Sequence, residues 1–219
     1  MNKIELYDTT LRDGSQTEGI SYSVFDKACI ARKLDELGIH YIEGGYPGSN
    51  PKDKMFFNEL KKHPLKKAKL VAFGSTRKAG IASKDDHGLK SLVGSGAVTA
   101  TIFGKTWDLH VRDVLKVSLQ ENLEMIKDSV RYLVSEGMEV IYDAEHFFDA
   151  YKANPEYAQK TIQAAEDSGA RLICLCDTNG GTLTSQLVDM IRQIRSNTNL
   201  PLGIHTHNDL GLAVANSIA

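Results

Sequence analysis

Two short polar motifs, one near each end of this 219-residue chain, carry the residue types that hold a divalent cation. Asp8-Thr9-Thr10-Leu11-Arg12-Asp13-Gly14 closes the first hydrophobic run, and His205-Thr206-His207-Asn208-Asp209 closes the last. Each follows a strand-like segment, Ile4-Glu5-Leu6-Tyr7 in one case and Leu202-Gly203-Ile204 in the other. Residues two apart on a strand point to the same side. His205 and His207 can therefore reach one ion together, and a carboxylate such as Asp13 can complete its protein ligands. A site assembled from the two ends of a chain needs a fold that brings those ends together. That requirement points to a closed barrel and to an enzyme.

The elements that would position these residues are readable as an alternation. Short β-rich runs fall at residues 4–7, 41–42, 70–73, 98–103, 140–142, 172–176 and 202–204, with helical patterns between them. This rhythm suits βα units with crossover helices and a parallel sheet. Ser23-Val24-Phe25-Asp26 reads as a capping box before Ile30, Leu34 and Leu37, with Gly38 as the stop. Ser118 and Glu121 repeat the box before Leu123, Ile126, Val130 and Leu133, with Gly137 as the stop. Asn154-Pro155-Glu156 puts proline at a first helical position, and Gly169 ends that helix.

Two α/β architectures fit: an open doubly wound sheet or a TIM (β/α)₈ barrel. No GxGxxG or P-loop follows the first strand, which weakens the dinucleotide-binding form of the open sheet. Polar residues lie just past several strand ends: Arg12-Asp13, Glu43, Asp143 and Glu145, Asp177-Thr178, and His205 with His207. A barrel gathers all of these on one face, where active sites of that fold lie. A complete barrel needs eight strands and about 250 residues. Residues 1–219 are therefore expected to be a partial TIM-barrel catalytic domain, truncated after strand seven and lacking the eighth strand and any C-terminal accessory or regulatory region. The closing segment Leu212-Ala213-Val214-Ala215 reads as the helix after strand seven. A fragment of this kind is expected to be inactive by itself and to have unpaired sheet edges.

Composition removes other classes. A hydrophobic content of 42% supports one substantial core, and a net charge of −2 with pI near 6.4 argues against a nucleic-acid binder. The cluster Lys61-Lys62-His63-Pro64-Leu65-Lys66-Lys67 is short, and it reads as a solvated helix end and loop. No apolar run reaches the roughly 18 residues needed to span a membrane, and Met1-Asn2-Lys3 does not read as a signal peptide. Cys29, Cys174 and Cys176 form no CxxC and are odd in number, so they read as reduced thiols of a cytoplasmic protein.

The two end motifs together resemble those of the DRE-TIM metallolyases, a family that includes 2-isopropylmalate, homocitrate and citramalate synthases, HMG-CoA lyase and pyruvate carboxyltransferase domains. The resemblance spans essentially the whole chain. The segments Ile42-Glu43-Gly44-Gly45-Tyr46-Pro47-Gly48-Ser49-Asn50-Pro51-Lys52-Asp53 and Tyr142-Asp143-Ala144-Glu145-His146-Phe147-Phe148-Asp149 are most similar to the citramalate synthase branch. The resemblance implies an acyltransferase of amino-acid (isoleucine) biosynthesis. Such an enzyme condenses acetyl-CoA, its co-substrate, with a small-molecule 2-oxo acid, pyruvate in the first instance, with no nucleic-acid or membrane partner. It also implies a homodimer in the full-length form.

By the same resemblance, Asp13, His205 and His207 are the ligands of a divalent metal ion, with Mg²⁺, Mn²⁺ and Zn²⁺ all admitted. A cation gripping the oxo-acid oxygens acts as a Lewis acid on the carbonyl. Arg12, a permanently charged fork, would stabilise the developing oxyanion. Glu43 would orient Arg12 or a substrate group, and a plain salt bridge is its other reading. Thr178 matches the threonine that binds the oxo-acid carboxylate, and a helix N-cap is its alternative. Asp143 is placed with the substrate-binding groups. Glu145 and His110 are the candidates for removing a methyl proton. The synthases usually show Ser-x-Glu-Asp where this chain has Asp143-Ala144-Glu145-His146, which leaves the division of roles open. Other readings are a 2-isopropylmalate or homocitrate synthase, an HMG-CoA lyase-like carbon–carbon lyase, and an inactive fragment of such an enzyme. A non-haem Fe(II) oxygenase is disfavoured, because its jelly roll lacks these helix caps.

Overall fold

The computed structural model describes residues 4–219. Seven parallel strands form one sheet in chain order: β1 Tyr7–Asp8, β2 Tyr41–Gly45, β3 Lys69–Ser75, β4 Thr99–Lys105, β5 Glu139–Glu145, β6 Leu172–Asp177 and β7 Leu202–Thr206. The connecting helices are α1 Val24–Leu37, α2 Pro51–Lys62, α3 His87–Ser95, α4 Asp108–His110 (continued by a π-helical turn, Val111–Leu115), α5 Leu119–Ser135, α6 Phe147–Ala153, α7 Pro155–Glu166, α8 Thr184–Arg195 and α9 Ala213–Ile218. The expected βα alternation is borne out, with seven strands and no eighth among the described residues.

The alternation along each strand is the reverse of a soluble sheet's usual pattern. Ile42, Ala72, Ala100, Ile102, Val140, Tyr142, Ala144, Ile173 and Leu175 are buried in one cluster with helix residues such as Phe56, Phe57, Ile126 and Val130. These outward residues supply the fold's main core, because crossover helices cover that face. The inward face is part apolar and part polar. Tyr41, Val71 and Ile141 pack together low in the barrel, with Tyr7, Leu172 and Cys174 against them. Below them Glu139 accepts from Lys69 Nζ at 2.9 Å and pairs with Arg171 Nε at 3.1 Å, while Arg171 Nη2 reaches Glu5 at 3.0 Å. These ion pairs tie the residues flanking β1 to the start of β6, so the sheet is curled.

Most local signals hold. Ser23 and Asp26 form the reciprocal capping box, and Gly38 takes the left-handed conformation at φ 93°. Asn154 caps α7 by accepting from Tyr157 N, with Pro155 at the first position. Three expectations need correction. Ser118 does cap α5, but Glu121 does not close the box; its carboxylate accepts instead from Arg77 Nη1 at 3.1 Å. The first strand is Tyr7–Asp8 rather than residues 4–7, although Leu6 O still accepts from Tyr41 N at 3.1 Å. Strands β2, β5 and β7 run further than hydrophobicity alone suggests, so Glu43, Asp143, Glu145 and His205 lie on the strands rather than past them.

A buried ion pair sets the wall beside β2. Lys27 on α1 donates to Asp53 on α2, both nearly inaccessible, and Asp53 also accepts from Tyr46 N at 2.8 Å. Gly45 has φ 138°, and a Cβ there would meet the Asp53 carboxylate at 2.3 Å, so only glycine lets the loop pass. Lys27→Met leaves the Asp53 charge buried and unpaired. It is expected to lower unfolding stability by about 3–5 kcal/mol. Urea denaturation is the check, with Lys27→Met/Asp53→Leu recovering most of the loss; equal stability of Lys27→Met and wild type would refute it.

Candidate active site

The two end motifs meet. Asp13 Oδ2 lies 3.3 Å from His205 Nε2 and 3.3 Å from His207 Nε2, so one carboxylate oxygen faces two imidazole nitrogens at the mouth of the curled sheet. The three ligand atoms all fall within 4.8 Å of one another. Hydrogen bonds from His205 and then His207, with Arg12 nearby, hold the Asp13 carboxyl far below the ordinary carboxylate range. The same contact raises His207. Two imidazoles and a carboxylate converging at this spacing are a donor set that fits a divalent cation.

Arg12 is fixed on three sides. Its Nε donates to Glu43 Oε1 at 2.5 Å, its Nη1 donates to Asp13 Oδ1 at 3.0 Å, and its guanidinium carbon sits 3.8 Å from the Phe73 ring centroid. Glu43 is buried, and its second oxygen accepts from the Tyr7 hydroxyl at 2.6 Å. Tyr7 also lies 2.8 Å from the Thr101 hydroxyl. Burial raises Glu43, outweighing the opposing pull of Arg12, and burial with Glu43 beside it raises Tyr7 well above an ordinary phenol. Glu43 thus touches Arg12, a contact that both an orienting role and a plain salt bridge require.

The remaining expected residues lie along β4 to β6. Asp143 faces the interior on β5 and is only 7% exposed; burial, then the Glu43 charge, push its carboxyl up to about 7. Glu145, at the end of β5, accepts from Lys105 Nζ at 2.5 Å. His110 packs edge-on against His146, with centroids 4.7 Å apart, and at a tilt against Trp107 at 5.0 Å. Its Nδ1 is buried without a hydrogen-bond partner among the described residues, and burial, then His146 and Lys105, hold its pKa below the ordinary value. Thr178 is not a helix N-cap: α8 begins at Thr184 after Leu183. Its hydroxyl accepts from His146 N at 2.9 Å, which holds His146 at φ 53°. That bond uses an oxygen lone pair and leaves the hydroxyl proton available.

Tyr7, Phe73, Thr101 and Lys105 join the site although no motif marks them as site residues. Tyr7 and Thr101 carried one available signal, a polar group within an apolar strand run.

The HMGL-like family model matches residues 3–219. The chain belongs to the HMGL-like family. Over 218 residues it is 60% identical to an (R)-citramalate synthase of Geobacter sulfurreducens, covering 100% of this chain and 41% of that protein. A homocitrate synthase of Methanothermobacter thermautotrophicus is 33% identical, over 100% of this chain and 53% of that protein. Among solved structures, the HMG-CoA lyase of Brucella melitensis superposes with a TM-score of 0.79 at 14% identity, covering 99% of this chain and 76% of that one. That likeness establishes the TIM-barrel fold. The chain spans about two-fifths of the length of the citramalate synthases it matches.

Within the HMGL-like barrel, Tyr7→Phe removes one of the two groups that compensate the buried Glu43 carboxylate. An expected loss of about 1–3 kcal/mol follows. Chemical denaturation checks it, and an unchanged midpoint would show that Arg12 alone satisfies Glu43.

Proposed function

We propose that this chain is the catalytic barrel of an acyltransferase that joins the methyl carbon of acetyl-CoA to the carbonyl carbon of pyruvate, giving (R)-citramalate and free coenzyme A. The observation that carries this reading is the convergence of Asp13, His205 and His207 beside Arg12, in a chain 60% identical along its length to an (R)-citramalate synthase. The three free cysteines accord with a cytoplasmic enzyme, and no helix among the described residues is long and apolar enough to cross a membrane. The full-length protein is proposed to act as a homodimer.

A divalent cation held by Asp13, His205 and His207, whether Mg²⁺, Mn²⁺ or Zn²⁺, would supply Lewis-acid polarisation of the oxo-acid carbonyl. Arg12 supplies the second positive element. Glu43 and Asp13 occupy its Nε and Nη1, and Nη2 makes no hydrogen bond among the described residues, so it is available to the oxygen that gains charge. Thr178 retains a hydroxyl proton for the oxo-acid carboxylate, and Asp143, buried on β5, would help orient the same acid. Glu145 and His110 are the groups assigned to the methyl proton. Lys105 orients the first, and burial favours the neutral, proton-accepting form of the second.

Two measurements test the reading. Calorimetric titration with Mn²⁺ should give one site per chain in the wild type and none in His205→Ala/His207→Ala. Unchanged binding in the double variant would remove these residues from the ligand set. In a coenzyme A release assay of the full-length protein, pyruvate should be preferred over 2-oxoisovalerate and 2-oxoglutarate. Discrimination by apolar size is limited to about 10- to 200-fold per methylene, so weak turnover of 2-oxobutyrate is compatible. Preference for the branched acid would make it an isopropylmalate synthase, and preference for 2-oxoglutarate a homocitrate synthase.

A further inference from the structure

Adjoining the mouth lies a second constellation, sharing His205 and Asp143 with it and adding two thiols that the proposed reaction leaves unused. Cys174 and Cys176 are two apart on β6 and so project to the same side of the strand. The register sets Cys176 beside His205 of β7, and Cys174 beside Asp143 of β5. Ligand atoms of Asp143, Cys176 and His205 all lie within 4.8 Å of one another. The Cys174 thiol neighbours both the Asp143 carboxylate and the Cys176 thiol. An ion with bonds of about 2.0–2.3 Å would draw Asp143, Cys176 and His205 together, and Cys174, which stands outside that trio, would have to turn toward it to become a fourth ligand.

The chemistry of this group differs from that of the mouth. Asp13, His205 and His207 offer oxygen and nitrogen, a set open to hard cations that keep substrate or water oxygens. The inner group adds sulfur, and two thiolates with an imidazole and a carboxylate are a tetrahedral set suited to zinc-like ions. Two carboxylates, Glu43 and Asp143, are buried close together in the interior, and each raises the cost of charging the other beside Arg12 and His205. Arg12 is already committed to Glu43 and Asp13 through Nε and Nη1. A cation at the sulfurs would supply the missing positive charge.

We propose that Asp143, Cys176 and His205, with Cys174 as fourth donor, form an inner site for a thiophilic divalent cation, and that its occupation excludes the mouth site because both need His205. A neutral imidazole has one lone pair on nitrogen and ligates one ion at a time. On binding, each thiol loses its proton to solvent and the ion gains a thiolate bond, with no change of oxidation state. The inner site would thus make the protein sensitive to thiophilic metals whichever cation the mouth holds.

Cadmium is the probe, because its thiolate complexes give an ultraviolet charge-transfer band, and Mn²⁺ reports the mouth through its paramagnetic resonance. In the full-length protein loaded with Mn²⁺, one equivalent of Cd²⁺ should produce the band and release the Mn²⁺. Cys176→Ser should lose most of the band and retain its Mn²⁺, whereas Cys29→Ser, altered on α1, should behave as wild type. Asp143→Asn keeps both thiols, so a fall of about tenfold or more in Cd²⁺ affinity there reports the site without removing sulfur. The proposal is overturned by absence of the band in the wild type, by a band that survives Cys174→Ser/Cys176→Ser, or by Cd²⁺ and Mn²⁺ bound together. None of these readouts depends on which reaction the protein performs.

Discussion

Glu43 is a carboxylate placed where water does not reach, and the upper half of the barrel is arranged around that fact. Its two oxygens are taken up by Arg12 Nε and the Tyr7 hydroxyl, so β2 is bound to β1 and to the loop after it through a single side chain. With Nε spent in this way, the guanidinium sits over the Phe73 ring and turns Nη1 toward Asp13. Asp13 in turn meets both histidines of β7. One buried charge therefore fixes a relay that runs from the second strand through the first to the seventh. Ion pairs of this kind add little net stability over an apolar core, but losing one partner is costly. Their contribution here is position: the fork, the carboxylate and the imidazoles acquire definite spacings.

That interior charge is tolerable only because the strands put their apolar residues outside. Ile42, Ala100, Ile102, Val140, Tyr142 and Leu175 bury against the helices, which leaves the inward positions free to carry acids, thiols and hydroxyls. Lower in the barrel Tyr41, Val71 and Ile141 form an apolar floor, and the Lys69–Glu139–Arg171–Glu5 ion pairs sit beneath it. The apolar layer separates two polar regions, so the acids above are not neutralised by the bases below. Arg12, with His205 beside it, is what offsets Glu43 and Asp143.

The parts of this arrangement that were legible in sequence are those encoded locally. The His-x-His spacing, the Arg12-Asp13 pair, the Ser23 and Asn154 caps and the strand–helix rhythm each need only a few neighbouring residues to be recognised. Hydrophobic runs understate the strands because polar residues such as Glu43, Asp143 and His205 interrupt them, although inside a barrel they continue the strand. The Ser118–Glu121 spacing suggests a capping box, but spacing alone cannot show that Arg77, from another segment, competes for Glu121. The Lys105–Glu145 pair and the Tyr7–Glu43–Thr101 cluster join residues 36 to 94 positions apart and follow from parallel register, which one sequence does not specify.

The separation of the two end motifs has a thermodynamic consequence. Asp13 and the two histidines come together only when every intervening βα unit is in place and the sheet has curled, and closing so long a loop is costly in chain entropy. A ligand that bridges Asp13 to His205 and His207 binds the curled state alone, so its binding free energy adds to closure. Occupancy at a hundred times the dissociation constant contributes about 2.7 kcal/mol. That is a sizeable share of the 5–15 kcal/mol typical of a folded domain. The bottom ion pairs close the same curl from the opposite end, through Glu5 and Arg171. Metal ligation at the mouth and charge pairing at the floor therefore act on one structural variable, the distance between the first strand and the last two.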